Sequence, residues 1–299
     1  MTRGMVRVGV SGWRYAPWRG VFYPPKLRQA DELAYVASRL PTVEINGTFY
    51  SLQSPASFSS WYAATPRDFV FSVKGPRYVT HILRLKDFER PLSNFLASGL
   101  FNLGAKLGPV LWQFPPNLRF NVDRFEAFMA ALPHDTSAAL ATARRRDSRM
   151  TGRARLAIDA PRLMRHAMEV RNESFLDPRF IGLLRRYRIA LVVADTGGRW
   201  PSPMDVTADF LYLRLHGATE LYKSRYSEPM LRKWAQWIAE WRAGGQPGDA
   251  MRVLEEDPPR QARDVYCYFD NTDKLHAPAN AQRLQALVKR GATAEERAA

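Results

Sequence analysis

Thr42-Val43-Glu44-Ile45-Asn46 is the segment from which the fold is best predicted. Side chains along a β-strand point alternately to opposite faces. Val43 and Ile45 therefore share one face, while Glu44 and Asn46 share the other. In a closed barrel the outer face packs against helices and must be apolar. The segment thus predicts a barrel strand in which Glu44 and Asn46 point towards the axis.

Seven further short runs have the character of β-strands. They span residues 7–11, 69–74, 110–114, 167–171, 189–195, 210–216 and 265–270. Amphipathic segments separate them, and Ser54-Pro55 and Asp177-Pro178 carry the cap and proline that begin helices. Strands alternating with helices predict a parallel sheet. Eight such units in 299 residues predict an α/β fold, a single-domain (β/α)8 TIM barrel over 1–299, with a core of about 5–290 and a disordered tail after about 291.

An open doubly wound sheet is the alternative fold. It requires a glycine-rich phosphate loop after the first strand. Here that strand continues into Ser11-Gly12-Trp13, which is not a GxGxxG motif. The closed barrel is therefore favoured. Residues 133–156 are basic and poor in large apolar side chains, and we interpret them as an excursion between strands 4 and 5.

Composition narrows the class of protein. The sequence has no apolar run near the length of a membrane helix, no secretory signal, and one cysteine, Cys267. These features predict a cytoplasmic protein with no membrane partner and no disulfide framework. The net charge of +15 favours a small anionic ligand or nucleic acid, and eight of its arginines lie in residues 144–165. The competing interpretation is arginine-rich composition from a GC-rich genome.

Polar side chains gather where the strands end. The alternation turns ten of them towards the mouth of the barrel: Glu44, Asn46, Lys74, Gln113, Glu169, Arg171, Asp195, Arg214, His216 and Asp270. In barrels this end carries the active site. The alternative is a layer of mutually satisfied ion pairs that closes the mouth. Desolvating each ion costs several kcal/mol, which favours a functional role.

Roles follow from the residue types. Glu44 and Glu169 are the predicted general acid and base, with Lys74 and His216 as further catalytic residues. The predicted substrate-binding residues are Trp13, Asn46, Tyr50, His81, Gln113, Arg171, Asp195, Arg214, Asp270 and Asn271. No HxH or HExxH spacing is present, so no metal site is predicted and no cofactor is required. A divalent cation held by carboxylates is the alternative.

Several motifs resemble one family. They include residues 9–13 (GVSGW), 42–50 (TVEINGTFY), 71–76 (FSVKGP), 112–116 (WQFPP), 169–171 (EVR), 213–217 (LRLHG) and 268–271 (YFDN). The chain is similar along most of its length to domain of unknown function 72, the YecE-like proteins. The resemblance implies a (β/α)8 barrel and leaves the activity open. Two positions depart from it, since Asp270 stands where the family commonly has Asn, and Asn172-Glu173 where it has His-Pro.

Three functions are consistent with these features. The first is an enzyme that uses glutamate acid/base chemistry on a small phosphate or carboxylate substrate, as a hydrolase, lyase or isomerase. The second is a nucleic-acid-binding or endonuclease-like barrel that uses the basic surface and loop aromatics. The third is a non-catalytic scaffold, for which Glu44→Gln and Glu169→Gln would raise stability without any loss of function.

Overall fold

The chain folds as a closed barrel of eight parallel strands in the order β1 to β8, as seen in a computed structural model that describes residues 3–217, 224–270 and 275–296. The predicted fold class is thereby confirmed. The strands are β1 (Val6–Ser11), β2 (Thr42–Ile45), β3 (Val70–Lys74), β4 (Leu107–Gln113), β5 (His166–Glu169), β6 (Ala190–Asp195), β7 (Phe210–Leu215) and β8 (Asp264–Phe269). β1 pairs with both β2 and β8, which closes the ring.

Helices follow most of the strands. They are α1 (Glu32–Ala37), α2 (Gly47–Tyr50), α3 (Pro55–Ala63), α4 (Glu89–Ala97), α5 (Val122–Ala131), α6 (Thr136–Ala143), α7 (Pro178–Arg186), α8 (Glu228–Arg242) and α9 (Ala277–Glu296). The caps at α3 and α7 form as predicted. The Ser54 hydroxyl accepts a hydrogen bond from the Ser57 amide, and the Asp177 carboxylate accepts one from the Arg179 amide.

Two apolar cores fill the fold. The larger lies between the barrel and the helices and contains Val43, Ile45, Met168 and Val170. The smaller fills the barrel axis with Val70, Leu111, Ala167, Ala190, Val192, Ala194, Ala208, Phe210, Tyr212, Tyr266 and Tyr268. Because the axis is filled by side chains, the barrel is a packed core and not a pore. The polar residues near the strand ends lie above this apolar plug.

The connections between strands differ in length. α5 and α6 both lie between β4 and β5, where the basic excursion is predicted, and α6 packs against α4. Residues 196–209, between β6 and β7, contain no helix. The last helix continues to Glu296, beyond the predicted start of a disordered tail at about residue 291. In the part of the chain that the structure describes, no helix is long and apolar enough to span a membrane.

Candidate active site

Arg214, near the end of β7, is the centre of a buried charge cluster. Its side chain is fully shielded from solvent. Nε and Nη2 donate to the Glu44 carboxylate at 3.0 and 2.9 Å, and Nη1 donates to Glu169 at 2.5 Å. Nη2 also donates to Asp270 at 2.8 Å. One guanidinium therefore holds three carboxylates that come from different strand ends, as the inward orientation predicts.

The Glu44 carboxylate is saturated with hydrogen bonds. Oε1 accepts from the Ser11 hydroxyl at 2.5 Å and from Arg214, while Oε2 accepts from the Tyr212 hydroxyl at 2.6 Å and again from Arg214. A carboxylate offers about four acceptor positions. Glu44 thus has its capacity filled by the protein, and its geometry suits a role in holding Arg214 better than a role in proton transfer.

Glu169 is held in its ionised form. Its Oε1 accepts from Gln113 at 2.8 Å and from Arg171 Nε at 2.8 Å, and its Oε2 accepts from Arg214. Burial alone would raise the pKa of this carboxyl, but the two guanidiniums hold the pKa well below its usual range. A carboxylate so firmly ionised is a poor proton donor and a weak base near neutral pH.

Removing the Tyr212 hydroxyl tests how tightly this cluster is bound. The hydroxyl donates to Glu44 and lies 2.6 Å from the Ser72 hydroxyl. We expect Tyr212→Phe to lower the free energy of unfolding by about 2 kcal/mol, because it removes a hydrogen bond to a buried charge. Urea unfolding of wild type and variant measures this loss of free energy. The matched control is Tyr268→Phe, whose hydroxyl lies 2.9 Å from the neutral Thr42 hydroxyl, and which should cost about 1 kcal/mol. Equal losses in the two variants would show that the hydrogen bond from Tyr212 to Glu44 is no stronger than one between neutral groups.

Lys74 ends β3 beside this cluster but stays outside its ion pairs. Its side chain is buried, and Nζ lies 4.2 Å from the centroid of the Phe49 ring. Among the residues that the structure describes, no ion pair includes Lys74. Burial, together with the charge of Arg214, lowers the pKa of the ammonium to about 8. The site therefore contains a cation that is costly to keep charged and that an incoming anion would stabilise.

Two histidines border the same space. His216 follows β7, with Nδ1 3.3 Å from the Asp270 carboxylate and Nε2 3.3 Å from Arg214 Nη1. His81 lies in the loop after β3, with its ring 5.0 Å from that of Phe49. Burial and the charge of Lys74 lower the pKa of His81 to about 4, so its imidazole is neutral at pH 7. A neutral imidazole can donate or accept a hydrogen bond without adding charge.

Arg171 completes the cationic side of the mouth. It donates to Glu169, and its guanidinium carbon lies 4.0 Å from the centroid of the Trp200 ring. The cation–π contact and the ion pair together fix the plane of the guanidinium. Arg171 is thus a rigid donor at the rim, whereas Arg214 is buried below it.

The remaining predicted residues divide into three groups. Asn46 donates from Nδ2 to the Ser11 hydroxyl at 2.6 Å, and a shallow depression on the rim is lined by Asn46 and Trp13. Tyr50 is 70% exposed, in contrast to the buried charge cluster. Asn271 lies outside the residues that the structure describes.

Asp195 does not point inwards as predicted. Ala194, its neighbour in β6, belongs to the inner core, and Val193 belongs to the outer one. Asp195 shares the outward face of Val193, and its carboxylate accepts from the Tyr226 hydroxyl at 3.0 Å. Burial raises the pKa of this carboxyl. It supports the loop beneath α8 and is not part of the charge cluster.

Two contributors to the site were missed by the sequence analysis. Ser11 donates to Glu44 and accepts from Asn46, and the alternation already used for the other strands would have placed it inside. Trp200 covers Arg171. Nothing in the sequence indicates that contact, because Trp200 lies in an irregular connection.

A metal site receives no support from the geometry. Within residues 3–217, 224–270 and 275–296, no group of three or more His, Cys, Asp or Glu side chains is arranged to hold a metal ion. The acids at the mouth instead face Arg214. Since the guanidinium already compensates their charge, these carboxylates do not offer an anionic cage of the kind that a divalent cation prefers.

Comparisons with known proteins agree with the fold. The sequence model of the family described as "Protein of unknown function DUF72" matches residues 7–299. UPF0759 protein YunF of Bacillus subtilis (strain 168) is 30% identical over 123 residues, which are 38% of this chain and 40% of that protein. The chain thus matches about two fifths of the length of this curated relative.

Solved structures extend the likeness over nearly the whole barrel. The crystal structure of a DUF72 family protein from Thermotoga maritima MSB8 superposes with a TM-score of 0.72 and 26% identity, covering 95% of this chain and 99% of that one. A DUF72 family protein from Enterococcus faecalis V583 gives a TM-score of 0.66 at 19% identity, covering 95% and 96%. At that identity the second likeness supports the fold alone.

Proposed function

The chain belongs to the DUF72 family of proteins of unknown function, and we propose that it is an enzyme that acts on a small phosphate or carboxylate substrate at the C-terminal mouth of the barrel. The observation that carries the proposal is Lys74. It is a buried ammonium beside three carboxylates that are all turned to Arg214. Burying a charge without a partner costs free energy that a stability role does not recover.

Lys74 is better suited than the glutamates to move a proton. Glu169 is held ionised, and the acceptor positions of Glu44 are filled. A group with a pKa of about 8 exchanges protons readily near neutral pH. In this proposal Glu44 and Glu169 fix Arg214 and set the local field, and Lys74 binds the substrate anion and transfers the proton.

The other mouth residues position the substrate. Arg171 supplies a planar donor for a carboxylate or phosphate oxygen. His81 supplies a neutral hydrogen-bonding group whose ring lies 5.0 Å from that of Phe49. His216, anchored near Asp270, is placed to assist proton transfer. The chemistry of hydrolases, lyases and isomerases all fits this set.

A thermal-shift screen of phosphorylated and carboxylated metabolites tests the proposal. We expect at least one small anion to raise the melting temperature of the wild type, and the shift to shrink as pH rises through about 8, because Lys74 loses its charge there. Lys74→Met should abolish the shift, whereas Lys289→Met on the exposed surface of α9 should keep it. Anions that stabilise wild type and Lys74→Met equally would refute the site.

The basic excursion gives weaker support to the nucleic-acid alternative. Arg162 and Arg165, two of the eight arginines in residues 144–165, pair with Asp159 and Asp264. Ion pairing reduces the charge available to a phosphate backbone. The enzyme proposal therefore takes precedence.

A further inference from the structure

A groove adjoins the mouth of the barrel on the side of β2 and β3. It has a volume of about 420 Å³, within the range of small-molecule sites. One wall comes from α2 and the loop after it, another from the turn at Tyr78, and the third from the start of α4 and the excursion. The lining residues that matter here are Phe49, Tyr50, Tyr78, Arg149 and Arg153.

Phe49 connects this groove to the proposed active site. One side of its ring faces the Lys74 ammonium at 4.2 Å, and its edge meets Tyr50 at 5.1 Å between ring centroids. Phe49 itself is buried, so it acts as a shared wall. Phe49 is therefore common to the groove and to the surroundings of Lys74.

The groove exposes aromatic rings that the fold does not use. Tyr50 is 70% exposed and Tyr78 is 51% exposed. Most other large aromatic residues of this chain are packed in its cores. Exposed rings that line a concave surface are suited to stacking on the flat face of a ligand.

Two guanidiniums, those of Arg149 and Arg153, line the same groove, and Arg149 is held in place by an ion pair. Arg149 Nε and Nη2 donate to the Asp147 carboxylate, which also accepts from Asn94 Nδ2 at 3.0 Å. Arg149 lies close enough to Tyr78 to feel the phenol electrostatically. Arg153 is exposed, and no ion pair of the described residues includes it. Phosphate or carboxylate oxygens are the natural partners of such groups.

We propose that this groove binds a nucleotide unit, with the base stacked on Tyr50 and Tyr78 and a phosphate on Arg149 and Arg153. The flat base of a nucleotide matches the exposed rings of Tyr50 and Tyr78, and its phosphate matches the guanidiniums of Arg149 and Arg153. The inference rests on the proposed function, since the groove shares Phe49 with the surroundings of Lys74 and would hold the part of the substrate that extends beyond the mouth. The unit is either a free nucleotide or a residue of a single strand.

Calorimetric titration with defined probes tests the inference. The probes are adenosine 5′-monophosphate, ribose 5-phosphate without the base, adenosine without the phosphate, and a five-residue oligoadenylate strand. We expect the monophosphate to bind about tenfold more tightly than either fragment, as one stacked base provides. Tyr78→Leu, which keeps an apolar side chain without the ring, should remove the advantage over ribose 5-phosphate. Arg153→Ala should remove the advantage over adenosine, and Arg290→Ala on α9 should change neither.

The outcomes separate this inference from the proposed function. Monophosphate binding no tighter than that of ribose 5-phosphate, or unaltered by Tyr78→Leu, would overturn the groove assignment while leaving the anion site at Lys74 intact. Base-dependent monophosphate binding that is insensitive to Lys74→Met would support the groove and show that the phosphate lies on Arg149 and Arg153, away from Lys74. A strand that binds more tightly than the monophosphate identifies the source as single-stranded nucleic acid, and equal binding identifies a free nucleotide.

Discussion

Arg214→Met is expected to lower the free energy of unfolding at pH 7 by about 4 kcal/mol. The guanidinium is the shared partner of Glu44, Glu169 and Asp270, and the first two are fully buried. Methionine fills much of the same volume but removes the guanidinium that the three carboxylates share, and Glu169 then keeps its ion pair with Arg171. Breaking a buried ion pair by removing one member is among the most destabilising single changes.

The way in which the stability of Arg214→Met changes with pH is a more specific test than its loss of stability at pH 7. Without Arg214 the buried carboxyls should take up protons at a higher pH, so Arg214→Met should gain stability as the pH falls from 7 to 5. In the wild type the pKa of Glu169 is depressed. Its contribution is therefore present above the unfolded pKa of about 4.5 and is lost only as the pH falls below that value.

Urea unfolding at pH 7 and pH 5 measures the difference. Arg232→Met on exposed α8 is the matched control, because its ion pair with Glu228 is exposed and should contribute less than 1 kcal/mol. If Arg214→Met lost the same free energy at both pH values, the carboxyls would not be the source of the instability.

Lys74→Met is expected to raise the free energy of unfolding at pH 7 by about 2 kcal/mol while abolishing anion binding and activity. Keeping the ammonium charged in its buried position costs about 1.4 kcal/mol for each pH unit by which the pKa is lowered, and the pKa falls from 10.5 to about 8. The lost contact with the Phe49 ring offsets part of the gain.

The sign of this effect with pH follows from the two pKa values. Below pH 8 the lysine is charged in both the folded and unfolded chains, and the cost of burial is fully present. Between about 8 and 10.5 the folded chain has released the proton while the unfolded chain keeps it, so the cost disappears. The stabilisation by Lys74→Met should thus shrink between pH 7 and pH 10. A variant less stable than the wild type at pH 7 would show that Lys74 is a structural ion.

For the variants that test the scaffold hypothesis, we expect a change in stability of the opposite sign. The hypothesis holds that Glu44→Gln and Glu169→Gln relieve buried charge and raise stability. Both carboxylates instead neutralise Arg214, and the depressed pKa of Glu169 means that its ionised form stabilises the fold. Either amide would leave the guanidinium with an excess of buried positive charge beside Lys74.

Much of the site could be predicted because alternation has physical consequences. Towards the C-terminal ends of β2, β5 and β7, large apolar residues such as Ile45, Met168 and Leu213 alternate with the charged ones. This alternation leaves Glu44, Glu169 and Arg214 with only one reasonable orientation. β6 lacks this signal. Leu191, Val192, Val193 and Ala194 are apolar on both faces, and Asp195 was placed on the wrong one.

The ion-pair partner of a side chain is harder to predict from sequence than the face of the strand from which it points. Arg214 pairs with all three acids, and among the described residues Lys74 forms no ion pair. This choice of partners depends on the stagger of strands that are far apart in sequence. The groove similarly combines Tyr50, Tyr78 and Arg149 from three separate connections. Loop paths of this kind are set by packing between elements, which residue spacing does not encode.

The pKa of Lys74 in the folded protein tests the central claim most directly. Lysine labelled with carbon-13 at the side chain permits an NMR titration, and Lys74→Met assigns the resonance. We predict a midpoint near 8 that moves upwards when a phosphate or carboxylate ligand binds. A midpoint near 10.5, the value of an ordinary lysine, with no response to any anion, would contradict the account.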